Sequence, residues 1–99
     1  MTTTTEKILA WANDRNLIQG ATPHAQMLKL TEEVGELAGG IAKQKPDVII
    51  DSIGDCYVVL TILAAQHGVF IEHCIEKAYE EIKDRKGKMV NGVFIRECA

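Results

Sequence analysis

Apolar positions recur every three or four residues along most of the chain, the period of helices packed on one side. Ile8, Leu9, Ala12 and Leu17 mark a short first helix carrying Trp11, with Thr2 to Thr5 as candidate N-caps and an end near Asn16. Thr22-Pro23 sets a capping threonine before a proline at the first helical position, so a second helix begins there. Its stripe is Met27, Leu30, Val34, Leu37 and Ile41, the spacing of a left-handed supercoil seam. Gly39-Gly40 interrupts that helix with poor helix formers, which implies close approach of another backbone or a ligand, or an early helix end. Lys43-Gln-Lys45 brings positive charge to its C-terminus, and Pro46-Asp47 opens a third helix across a connection short enough to force an antiparallel hairpin. The third helix is apolar nearly all round and runs to Gln66 or His67, stopping at Gly68. A fourth, about Ile71 to Lys86, turns Cys74, Ile75, Ala78, Tyr79 and Ile82 inward and stops at Gly87. The reading is all-α: residues 1–99 form one domain, a four-helix-bundle subunit. Asn91-Gly92 between short apolar pairs is either a small C-terminal hairpin or part of an extended tail, because so short a ribbon is marginal alone.

Composition adds an assembly expectation. At 99 residues and 46% hydrophobic, the chain has more apolar surface than four thin helices can hide, so a homo-oligomer, dimer or tetramer, is expected. A net charge of −3 gives no general attraction to nucleic acid or anionic membranes. Cys56, Cys74 and Cys98 are odd in number and lack metal-like spacing, which reads as free thiols in a reducing compartment. Residues 48–65 approach membrane-spanning length, but Asp51 and Asp55 inside them would be costly in lipid, and the N-terminus lacks a signal pattern. A cytoplasmic protein is expected.

The candidate chemistry is carboxylate chemistry. At about 100° per residue, Glu32, Glu33 and Glu36 share one arc of about 100° on the second helix. Asp51 and Asp55 lie about 40° apart on the third, on a face continued by apolar Val58 and Ile62 and therefore expected to be buried. Glu33 flanks the core stripe, Glu36 lies further round and Glu32 further still, so exposure should rise in that order. Buried carboxylates need a counter-charge, and the lysines nearest the aspartates, Lys43 and Lys45, sit only at the entrance of that helix. With no His or Cys in either cluster, the donor set suits a hard ion, Mg²⁺ or Mn²⁺, better than zinc. The bland alternatives are a solvated Glu face and aspartates bonded to Ser52 and Thr61. A di-iron site fails for want of Glu-x-x-His, and P-loop and dinucleotide-binding patterns are absent. Cys56 reads as core filler, and His67 and His73 as surface residues at a turn.

Glu33-Val-Gly-Glu36-Leu-Ala, followed by an apolar helix with Gly54-Asp55, resembles the all-α nucleoside triphosphate pyrophosphohydrolases, the MazG-like group related to the dimeric dUTPases. The resemblance covers about residues 25 to 86, with a phage-type stretch from Glu80 to Gly92. Glu-x-x-Glu is matched fully; where the family has Glu-x-x-Asp, this chain has Ser52-Ile-Gly-Asp55, the nearest acid being Asp51. The family's Lys/Arg-bearing last helix is matched loosely by Lys83 and Arg85. The resemblance implies hydrolysis of a nucleoside or deoxynucleoside triphosphate to the monophosphate and pyrophosphate. It implies Mg²⁺, with Mn²⁺ as substitute, on Glu33, Glu36 and Asp55, with Asp51 binding directly or through water. Catalytic acids would be Glu32, Glu33 and Asp51, with Glu32 or Asp51 taking the proton of the attacking water. Lys83 and Arg85 would meet the outer phosphates, and Trp11, otherwise a packing residue, or a second subunit would wall the base. The competing class is a non-catalytic homo-oligomeric interaction protein whose second and third helices form a dimer seam.

Overall fold

A computed structural model describes residues 1–97, which form α1 (Thr4–Asp14), α2 (Pro23–Ala42), α3 (Pro46–Gln66), α4 (Ile71–Ile82), β1 (Gly87–Val90) and β2 (Val93–Arg96). Local chemistry sets most boundaries. The Thr3 hydroxyl accepts from the Glu6 amide while Glu6 accepts from the Thr3 amide, a reciprocal cap on α1. Thr22 caps α2 through the Ala25 amide, with Pro23 in the first turn. Gly68, at φ 76°, closes α3 in the left-handed conformation that a side chain disfavours. α1 ends at Asp14, two residues before the expected end, where the chain turns at Asn16 with φ 56°.

α3 is the helix on which the others pack: α2 lies along it, α1 and α4 touch it, and among the described residues these three do not touch one another. The core is correspondingly small, with Ala12 of α1, Val59, Ile62 and Ala64 of α3, and Ile71 of α4 buried. Side chains tie the outer pieces to α3. The Tyr57 and Thr5 hydroxyls bond at 2.7 Å, and Gln66 Nε2 donates to the carbonyls of Leu17 and Ala21, fixing the α1–α2 loop. The radius of gyration is 16.2 Å, against about 13 Å for a compact domain of this length.

Several expectations change here. On α2 the stripe facing α3 is Leu30, Glu33, Leu37 and Gly40, while Met27, Val34 and Ile41, read as core, stay exposed. Gly40 lets the helices close, since a Cβ there would come within 2.9 Å of Val48 Cγ1. α2 continues through both glycines to Ala42. α4 stops at Ile82 rather than Lys86, because the charged residues that follow offer no apolar face to continue its stripe, and Gly87 enters a strand. The inward face expected for α4 is instead exposed beyond Ile71. The C-terminus forms the hairpin, with Asn91 and Gly92 at φ 50° and 81° in a primed turn and Val90 opposite Val93. Cys56 and Cys74 are free thiols; Cys98 lies outside the described residues. α3 is long and apolar enough to cross a membrane, yet here it is the helix about which the fold is built.

Candidate metal centre

The α2–α3 hairpin brings one carboxylate oxygen each from Glu33, Glu36 and Asp55 within 4.8 Å of one another. Glu33 sits on the α2 face turned to α3 and is 5% exposed, Glu36 is one turn on and open, and Asp55 is half-buried across the seam. Glu32 is 68% exposed at its side chain and outside the group. Glu33 is thus the most buried of the three glutamates, as its place beside the stripe implied. Asp51, expected to be buried, is exposed, because only the later turns of that α3 face are covered; Val58 is half-buried and Ile62 buried. Asp51 remains one turn from Asp55, near enough for its charge to act there. Ser52 is buried, at 2% exposure.

The electrostatics are those of a cluster short of positive charge. Burial, and then the neighbouring Asp51 and Glu33, raise the pKa of Asp55 above its ordinary value. One cation does reach the cluster, and the sequence reading overlooked it. Lys29 Nζ lies 3.2 Å from Glu33 Oε1 and 3.8 Å from Glu32, and its pKa is raised, first by the hydrogen bond to Glu33 and then by the charges of Glu33 and Glu32. The signal was the Lys29/Glu33 spacing of one helical turn. Lys29 satisfies only one oxygen. Glu33 Oε2 is buried with no hydrogen-bond partner. An ion with six oxygen ligands at about 2.1 Å holds opposite ligands about 4.2 Å apart, so small side-chain rotations would let the three oxygens share one. The residues fit a hard divalent cation.

Two hollows flank the carboxylates. One, of about 630 Å³, runs along α2 past Glu32, Glu36 and Gly39 to Lys43 and Lys45. A Cβ at Gly35 or Gly39 would meet nothing within 4 Å, so these glycines border open space. The other, of about 460 Å³, lies between α1 and α3, with Asp55 and Val58 on one side and Ile8 and Trp11 on the other. Trp11 is 45% exposed and carries the Arg15 guanidinium 4.7 Å from its ring centroid. Lys43 and Lys45, read only as helix-end charges, therefore line a hollow shared with Glu36. Lys83 and Arg85 line neither hollow; Lys83 is paired with Glu80 at 2.7 Å.

The chain is 56% identical over 72 residues to a protein of Haemophilus phage HP1 (strain HP1c1), described as an uncharacterized 18.2 kDa protein in the rep-hol intergenic region. The match takes in 73% of this chain and 43% of the relative, so the chain spans less than half the relative's length. No solved structure matches it. Residues 21–90, which hold the whole α2–α3 hairpin and its three carboxylates, match the MazG nucleotide pyrophosphohydrolase domain, and the chain belongs to that family.

Proposed function

We propose that the protein hydrolyses nucleoside or deoxynucleoside triphosphates to the monophosphate and pyrophosphate, as a cytoplasmic homo-oligomer that depends on Mg²⁺ or, in its place, Mn²⁺. The observation that carries this reading is Glu33. A carboxylate 5% exposed, with one oxygen unpartnered and aimed toward Glu36 and Asp55, is costly to keep unless a cation joins it. Glu33, Glu36 and Asp55 would hold the ion, with Asp51 beside them directly or through water. When bound, the ion supplies counter-charge to the phosphates and Lewis-acid polarisation at phosphorus.

The chain's own groups do the rest. Lys29 holds Glu33 Oε1, leaving Oε2 for the ion. Glu32 and Asp51 are exposed acids next to the cluster, placed to accept a proton from an attacking water. The Trp11 hollow offers an apolar wall to a base, and the Lys43/Lys45 hollow offers positive charge to phosphates. In-line transfer needs little beyond such positioning and charge neutralisation. The test is a nucleotide panel with and without Mg²⁺. Pyrophosphate release that EDTA abolishes supports the reading. No turnover of any nucleoside triphosphate in saturating Mg²⁺ leaves the homo-oligomeric interaction protein instead.

A further inference from the structure

We propose that α4 and the C-terminal hairpin form an arm that completes the site of a second copy of this chain, bringing Arg85, Lys88 and Arg96 to the phosphates held at that copy's carboxylates. The proposal rests on the hydrolase reading above and adds that the site is assembled in trans.

The arm leaves its own body at its first residue. Ile71 is buried, but every later residue of α4 is exposed, including the stripe Ile75, Tyr79 and Ile82, of which Tyr79 is 60% exposed. A helix with so continuous an apolar stripe needs something to pack on. The hairpin repeats the pattern. It pairs only with itself, and the register puts Val90, Val93 and Ile95 on one face and Met89 and Phe94 on the other, all exposed. A two-stranded ribbon this short is marginal in water, and apolar residues on both faces call for a covering surface.

Charge indicates what the surface is. Residues 83–97 carry five of the eleven Lys and Arg but two of the fourteen Asp and Glu, a net +3; the overall −3 therefore leaves −6 on the rest of the chain. Arg85, Lys88 and Arg96 line one groove with Lys86 and Phe94, Glu97 being its acid. The arm is basic and the body it would meet in another copy is acidic. That body also exposes the apolar row Met27, Val34 and Ile41 on α2, the helix that bears Glu33 and Glu36. Within one chain α4 touches α3 and not α2, and the hairpin touches no helix. Reach is sufficient: twelve helical residues span about 18 Å and a four-residue strand about 13 Å. The longest dimension of the whole chain is 45 Å. A two-fold axis makes such an exchange reciprocal, so both sites of a dimer would be completed at once.

The experiment is trans-complementation. One chain carries Glu33→Gln with an intact arm; the other carries Arg85→Gln, Lys88→Gln and Arg96→Gln with an intact cluster. Both are co-expressed with different tags and the mixed oligomer is isolated by sequential affinity steps. Each variant alone should be nearly inactive, while the mixed dimer should recover about half of wild-type turnover, since two-fold symmetry leaves one of its two sites with both parts intact. A mixed dimer as inactive as its parents places the arm in cis and overturns the proposal. An arm variant with wild-type nucleotide hydrolysis also overturns it and would hand the basic groove to another anion, such as single-stranded nucleic acid. Glu33→Gln that remains fully active overturns the hydrolase reading of the cluster itself, a different failure. Tyr79→Glu, at an exposed position that leaves the protomer's helical circular dichroism unchanged, should shift sedimentation to monomer and lower turnover together. A Tyr79→Glu monomer with full turnover overturns the proposal.

Discussion

At Glu33 two opposing demands meet: the α2–α3 seam buries the side chain, and Lys29 compensates only one of its oxygens. Glu33→Gln should therefore cut Mg²⁺-dependent hydrolysis by about 10²–10³-fold, the scale seen when a group acting on transition-state charge is removed. Circular dichroism should stay wild-type. Asp51→Asn, on an exposed acid outside the three-oxygen group, should cost less than Asp55→Asn in the same assay. Asp55 also makes a pH prediction for the metal-free protein. Its pKa is raised in the folded state from the ordinary 3.8, so at neutral pH its ionised form weakens the fold, and the fold is relieved as pH falls through the raised value toward 3.8. Metal-free Asp55→Asn should melt above wild type at neutral pH, and the gap should narrow on acidification across that interval. A gap that widens instead would contradict the burial and repulsion described for Asp55.

Among the elements, α2 tests what its glycines do. Gly40→Ala forces a Cβ against Val48 and should destabilise by about 1–3 kcal/mol, as overpacking does. Gly39→Ala and Gly35→Ala, whose Cβ atoms meet open space, should each stabilise the helix by about 0.5–1 kcal/mol in thermal denaturation. The same helix shows what the sequence could and could not reveal. Thr22-Pro23, Pro46 and Gly68 mark boundaries through chemistry internal to a few residues, so these were legible. So was the graded exposure of the glutamates, which depends only on angle from the apolar stripe. Which side of that stripe faces α3 was not. Met27, Val34 and Ile41 share Leu30 and Leu37 with the row that holds Glu33 and Gly40, and periodicity gives the width of an apolar face without naming its partner. Asp51 failed for a related reason: its angle on α3 was right, but cover depends on where along the helix a neighbour lies. The end of α4 was hidden because helix-compatible charged residues precede a strand stabilised only by its pairing.

For the molecule as a whole, exposed apolar rows on α2 and α4 and a radius of gyration above that of a compact domain point to assembly. Sedimentation at micromolar concentration should give a dimer or tetramer; a monomer of 10.9 kDa would contradict this. Metal should act on the whole fold by mass action. Mg²⁺ at about ten times its dissociation constant should add about 1.4 kcal/mol of stability, visible as a rise in melting temperature that EDTA reverses. A final consequence comes from the way α1 and α4 each rest on α3 without touching one another. Free-energy changes from substitutions on α1 and α4 should then sum to within about 0.3–0.5 kcal/mol, whereas a substitution on α3 should be thermodynamically coupled to both. Variation can accumulate on either outer helix without regard to the other, while α3 is constrained by every neighbour at once.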